Sequence, residues 1–191
     1  GVEEGIEIGT DFDPMLAKVI SYGSTRTKAI KKLLRELQLV HFGGFTNNIE
    51  FLINILSDKN FIGGKTTTDF IKLHQPKGYI RLDEDEKLYI GITAALWLQG
   101  LNRYTATVLK HIPSGWHNAR LPNQKTLFEI DGERMQIQYK RQRDGSFITS
   151  TDNKAVIHAW RNHSIDIEID GLRYQSKISM NDDLLLVQHP K

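Results

Sequence analysis

The chain has 191 residues, of which 39 % are hydrophobic and 25 % charged, with a formal net charge of +2. That balance suits a folded chain of one large domain or two small ones, and the mild basicity falls short of the clustered Lys and Arg that mark nucleic-acid binding. The complete absence of cysteine excludes disulfides, thiol catalysis and thiolate metal sites.

The acidic opening Gly1-Val2-Glu3-Glu4 has no apolar run and so no signal-peptide pattern. It lacks Met and begins inside a motif, which reads as a fragment of a longer protein. Met15 to Tyr22 is a mostly apolar run suited to a buried strand, with Pro14 at its start where proline is tolerated. Ser24 is a good helix N-cap. Ala29, Ile30, Leu33, Leu34 and Leu37 then recur at helical spacing, with Lys28, Lys31, Lys32 and Arg35 on the other face. Phe42-Gly43-Gly44 breaks the chain. Ile49, Leu52, Ile53 and Leu56 form the stripe of a second helix that Asn48 can cap. Gly63-Gly64 ends that unit, and Thr68 is placed to cap a short helix through Ile71 and Leu73.

The polar stretch Gln75-Pro76-Lys77-Gly78 is the linker, so the domains are set at 1–76 and 77–191. Asp83-Glu84-Asp85-Glu86 opens a long helix reaching about Leu109, because carboxylates suit the positive end of the helix dipole. Its segment 88–98 is apolar on every side, and such a helix is buried all round. The apolar-rich stretch 88–101 is shorter than the roughly 20 residues a membrane span needs.

From Thr126 the period changes to two. Residues 135–140 and 165–170 alternate strictly, and Asp-Gly pairs stand at 131–132, 144–145 and 170–171. Asp-Gly suits two-residue hairpin turns because both residues tolerate positive φ. A turn at Asp170-Gly171 places Ile169 opposite Leu172, Glu168 opposite Arg173 and Ile167 opposite Tyr174. A turn at Asp131-Gly132 places Ile130 opposite Glu133, Glu129 opposite Arg134 and Phe128 opposite Met135. About seven strands fit between Lys125 and Gln188. Closing them would remove the edges, and the apolar helix would fill the interior. The expected fold class is therefore α+β: a mixed α/β portion, then an antiparallel barrel of seven or eight strands around a long central helix.

The segment Phe12-Asp13-Pro14-Met15-Leu16-Ala17-Lys18-Val19-Ile20-Ser21-Tyr22-Gly23 resembles a strand found late in biotin carboxylases, typically "YDPMIAKLI..G". Thr25 to Ile30 resembles the helix start that follows it. Gly44-Phe45-Thr46-Asn47-Asn48-Ile49-Glu50-Phe51-Leu52 resembles the family's "G..TN..FL" turn. Phe61 to Gly64, then Thr67-Thr68-Asp69-Phe70-Ile71, resembles its "F..G...T.FI" segment. Four motifs in order over about 70 residues carry that likeness. Beyond residue 80, the helix and Ile112-Pro113-Ser114-Gly115-Trp116-His117-Asn118 resemble the subunit-docking (BT) domain of propionyl-CoA and methylcrotonyl-CoA carboxylase α-subunits. A "SGWRN"-like string marks the loop there, and His117 stands where arginine is common.

The resemblance implies a parent enzyme that carboxylates biotin with ATP, Mg and bicarbonate and passes the carboxyl group to an acyl-CoA on a carboxyltransferase β-subunit. It also implies that the phosphate loop, the metal carboxylates and the catalytic arginine lie upstream, and the biotinyl lysine downstream between two methionines. None of Met15, Met135 and Met180 is followed by Lys. The expectation is an architectural fragment without catalytic, cofactor-binding or metal residues, inactive alone. It would dock the β-subunit through Trp116, His117 and Asn118, and touch a second α-subunit through Tyr22 and Arg26. The bland alternatives are Trp116 plugging the barrel end, Tyr22 in a core and Arg26 solvated at a helix start. A cytoplasmic or mitochondrial-matrix location is expected, with no membrane or nucleic-acid partner.

Gly64-Lys65-Thr66 is not a phosphate loop, because Lys59 stands where that motif needs glycine. His158 and His163 lack helical zinc spacing. The basic run Lys140-Arg141-Gln142-Arg143 reads as a solvated strand end. A small nucleic-acid barrel is the competing class. It needs exposed stacking aromatics, whereas Phe128, Tyr139 and Tyr174 fall on the inner face. A free-standing scaffold protein is the third reading.

Overall fold

The computed structural model describes residues 9, 13–79, 81–108, 112 and 122–188. The chain divides into two compact units, one of Gly1–Val40 with Asn48–Tyr79, the other of His41–Asn47 with Ile80–Lys191.

The first unit is helical among its described residues. Helices α1 (Arg26–Leu39), α2 (Ile49–Ser57), α3 (Lys59–Ile62) and α4 (Phe70–His74) follow in order. Ile30 and Leu37 of α1 meet Leu56 of α2, with Leu33, Leu34, Ile49, Ile53 and Phe61 packed around them. The expected stripes thus form the core, except that Leu52 is 37 % exposed. Thr25 rather than Ser24 caps α1, its hydroxyl accepting from Lys28 N at 3.3 Å. Asp69 rather than Thr68 precedes α4, whose last turn closes on Gln75 in the left-handed region at φ 42°.

The strand expected at residues 15–22 does not form. These residues are irregular, and Ile20 is 82 % exposed. A strand needs a neighbour to take its N–H and C=O groups, and no described strand of the unit offers one. The end of the segment is still fixed. Ser21 Oγ donates to Ala29 O at 2.9 Å, and a Cβ on Gly23 would stand 2.5 Å from Ala29 N.

In the second unit α5 (Glu84–Thr105) precedes seven strands: β1 (Gln124–Ile130), β2 (Glu133–Arg141), β3 (Phe147–Thr149), β4 (Lys154–Arg161), β5 (Ser164–Ile169), β6 (Leu172–Asn181) and β7 (Leu184–Gln188). A capping box starts α5: Glu86 N donates to Asp83 Oδ1 at 2.8 Å and Asp83 N to Glu86 Oε2 at 2.9 Å. The helix stops at Thr105, four residues before the expected end.

The strands pair in simple sequence order, all antiparallel. Both Asp-Gly registers are as read from the sequence. Asp131, Gly132, Asp170 and Gly171 all have positive φ, as a two-residue hairpin turn requires. Asp144-Gly145 instead sits in a longer turn. Gln142 N donates to Ser146 O, only Gly145 of the pair has positive φ, and Asp144 Oδ1 accepts from Ser146 N and Oγ.

Both edge strands, β1 and β7, touch α5, as do β2 and β5. The sheet is therefore curled. Among the described residues β1 and β7 do not pair, so it is an open half-barrel rather than a closed barrel. Residues 91–97 of α5 are buried without interruption, nearly two helical turns. Ile92, Ala95, Leu96 and Trp97 share one core with Ile137, Tyr139, Phe147, Ala155, Ile165, Ile167, Ile169 and Ile178. Each fully buried aliphatic side chain contributes about 1.5–3 kcal/mol relative to exposure.

Candidate interaction surfaces

In the first unit, Arg26 is exposed yet committed. Its guanidinium donates to Phe61 O from Nη2 at 2.8 Å and from Nε at 3.3 Å, and lies 5.0 Å from the centre of the Phe61 ring. It joins the first turn of α1 to α3 rather than standing solvated. Tyr22 is 85 % exposed and belongs to no core. The structure therefore presents Tyr22 outward and engages Arg26 within the unit.

In the second unit, the two ends of α5 are held by different chemistry. At the N-terminal end Lys87, buried among its neighbours, donates to Glu133 at 2.8 Å and Glu84 at 2.9 Å. Hydrogen bonds to Glu133 and then Glu84 hold its ammonium well above the usual lysine range. Midway, Thr93 Oγ1 donates to Tyr89 O at 2.7 Å and lies 3.0 Å from Tyr174 Oη. Burial pushes the Tyr174 phenol up to about 12, and burial also raises Tyr139.

The C-terminal end is aromatic. Trp97 Nε1 donates to Arg161 O at 3.1 Å, and Trp160 Nε1 donates back to Trp97 O at 3.0 Å. The indoles stack at 6.3 Å, and Tyr104 lies 5.5 Å beyond Trp160. Gly100 makes room, because a Cβ there would stand 2.3 Å from the Trp160 ring. A bulge between Ile157 and Ala159 aims Trp160 inward. It inserts His158, so Ile157 and Trp160, three apart, both reach the core. Tyr104 is 68 % exposed and marks the surface where α5 ends.

The outer face of β4, β5 and β6 is a polar ladder. Arg173 forks onto Asp166 at 2.9 and 2.8 Å, and His158 Nε2 lies 2.9 Å from Glu168. Glu168 and Arg173 are register partners as expected, but each charge pairs elsewhere. The Arg173 hydrogen bonds hold the Asp166 carboxyl below its ordinary value.

Further along that face, the segment 41–47 lies on the β6–β7 hairpin. His41 Nε2 is 2.7 Å from Ser179 Oγ, a Cβ on Gly43 would stand 2.4 Å from Leu186 Cδ1, and Ser179 and Leu186 are register partners. Neither the bulge at His158 nor the placing of 41–47 was legible beforehand. The signals were an unexplained Gly100 inside an apolar helix and the Gly43-Gly44 pair.

Trp116, His117 and Asn118 lie outside the described residues. Phe128, Tyr139 and Tyr174 all join the core, leaving no stacking platform of those rings for nucleic acid. Among the described residues no group of three His, Asp or Glu could hold a metal ion. No described helix is long and apolar enough to cross a membrane.

Comparison with known proteins gives the context of these surfaces. Residues 1–73 match the model of the biotin carboxylase C-terminal domain. Over 161 residues the chain is 26 % identical to the mitochondrial propionyl-CoA carboxylase alpha chain of Caenorhabditis briggsae, covering 82 % of this chain and 22 % of that one. The human propionyl-CoA carboxylase alpha chain is 30 % identical over 101 residues, 51 % of this chain and 14 % of that one. The Rattus norvegicus methylcrotonoyl-CoA carboxylase subunit alpha is 35 % identical over 74 residues, 39 % of this chain and 10 % of that one. The chain is thus a homologue of part of these alpha chains, and its match spans 22 % or less of their length.

Proposed function

We propose that this chain is an architectural, non-catalytic part of the α-subunit of a biotin-dependent acyl-CoA carboxylase. Residues 1–76 serve as the last portion of its biotin carboxylase domain, and 77–191 as the domain that docks the carboxyltransferase β-subunit. The parent enzyme would use ATP, Mg and biotin, and none of these is held by this segment. The observation that carries the reading is the match of residues 1–73 to the biotin carboxylase C-terminal domain, continued by an alignment that covers 82 % of the chain.

Physical features support the parts of this reading. The exposed apolar side chains of Val19, Ile20 and Tyr22 suit a strand whose sheet is completed by other residues of a carboxylase domain. The burial of residues 91–97 suits a helix central to a barrel-like domain. In the sequence, Trp116 stands in the Pro- and Gly-bearing run that follows α5. A loop tryptophan is a common interface anchor.

The test is binding to a carboxyltransferase subunit of the propionyl-CoA carboxylase type, measured by calorimetry or size-exclusion chromatography. The expected result is a stable complex that Trp116→Ala weakens by about thirtyfold, the effect of losing an anchor worth about 2 kcal/mol. Unchanged affinity in both Trp116→Ala and His117→Ala rejects the docking surface. Bicarbonate-dependent ATP cleavage by the chain alone rejects the non-catalytic assignment.

A further inference from the structure

We propose that the segment 41–47 is a proton-sensitive latch on the outer face of the β6–β7 hairpin, with His41 as its switch and Ser179 as its catch.

The geometry defines the closed latch. His41 Nε2 lies 2.7 Å from Ser179 Oγ, and Nδ1 is buried without a hydrogen-bond partner among the described residues. Gly43 sits so close to Leu186 that a Cβ would stand 2.4 Å from its Cδ1. Gly44 has φ +89° and lets the chain turn away. Phe42 and Phe45 close the turn edge to face, with ring centres 4.9 Å apart. One cross-strand pair, Ser179 and Leu186, therefore receives both His41 and Gly43.

The chemistry makes this closure depend on a proton. A neutral imidazole has one donor and one acceptor nitrogen. The cheaper arrangement gives Nε2 the proton, donated to Ser179, and leaves the buried Nδ1 bare. Protonation adds an N–H at Nδ1, a charged donor with no acceptor in reach among the described residues, and that is costly in a buried place. Among the described residues Lys177 of β6 is the charged group that acts on His41, and it opposes a second positive charge. Residues 42–47 carry no titratable group, and β7 presents the aliphatic Leu186 there. Burial first and Lys177 second lower the His41 pKa from its ordinary 6.5. The sign follows. The seated segment disfavours the proton, so closure is complete above the ordinary value and weakens as pH falls below it.

The test is amide hydrogen exchange of the whole chain at about pH 7.5 and about pH 5.5, either side of the ordinary histidine value and corrected for intrinsic rates. The expected result is a severalfold loss of protection at residues 42–45 on acidification, while the β5 amides of Ile165 and Ile167 stay protected. His41→Gln keeps a donor for Ser179 without a titrating ring, so the acid-dependent loss disappears. Ser179→Ala opens the latch at both pH values. Equal protection at both pH values in the unaltered chain overturns the proposal. So does an acid-dependent loss that persists in His41→Gln, or one shared by Ile165 and Ile167.

Discussion

In the first unit Ile30, Leu37 and Leu56 remain 5–8 % exposed, and their neighbours are only partly buried. In the second, Ile92, Leu96, Ile165, Ile167, Ile169 and Ile178 are sealed at 0 %. The contrast runs opposite to the sequence motifs. The first unit carries most of the four ordered motifs and of the family match, yet leaves Ile20 and Tyr22 in solvent. The second holds the larger and better sealed core. Motif density therefore reports a shared origin, whereas self-sufficiency depends on whether every apolar face finds a partner within the unit.

The sharpest way to break this contrast is to empty each core. Trp97 is 2 % exposed and hydrogen-bonded to Arg161 O, so Trp97→Ala should cost about 3–5 kcal/mol. Leu37→Ala should cost about 2 kcal/mol, because half-buried neighbours can relax into the space. All three tryptophans belong to the second unit. In urea unfolding, the fluorescence transition therefore follows that unit, and helical circular dichroism follows both. A Leu37→Ala shift as large as that of Trp97→Ala, or equal movement of both probes, would remove the difference between the units.

A smaller effect is expected from the staple that the first unit adds to its thin core. Arg26→Ala removes the forked donation to Phe61 O and the contact with the Phe61 ring. Being exposed, this arrangement should contribute about 1 kcal/mol. Arg26→Lys should recover less than half, because an ammonium cannot copy the fork. A thermal-shift series checks this, and full recovery by lysine would reduce Arg26 to a simple charge. If Tyr22→Ala, by contrast, changes stability by more than about 0.5 kcal/mol, its side chain is not the free surface its exposure indicates.

What the sequence made legible follows from how local each signal is. Alternation and Asp-Gly turns fix a hairpin register within a dozen residues, and both registers hold. An all-round apolar helix announces its own burial, as residues 91–97 show. The misses are non-local. Residues 154–161 break the period of two at His158, and only the paired strand reveals that the bulge turns Trp160 onto Gly100. Contact between His41 and Ser179 spans 138 positions and leaves no periodic trace. The run 15–22 has strand character that nothing described in its unit can satisfy. Of the candidate site residues, Tyr22 and Arg26 could be placed, and their roles diverge because one faces solvent while the other finds a carbonyl.

The smallest expected effect lies on the solvent side of the second unit, where polar pairs rather than packing mark the sheet. Asp166 accepts both arms of Arg173, and this holds its carboxyl below the ordinary 3.8. For a carboxylate with a lowered folded value, the contribution is fully present above the unfolded value. It is lost as pH falls from there through the folded one. Asp166→Asn should therefore leave the urea midpoint nearly unchanged from neutral pH down to about 5, since exposed pairs contribute little and salt screens them. Below that, the variant should lose less stability on acidification than the unaltered chain. The midpoint measured at successive pH values with tryptophan fluorescence provides the check. If both proteins fall in parallel below pH 3.8, the ladder is ornament on a sheet specified by its inner face alone. If they diverge, the outer face also helps to hold the register of β5 against β6.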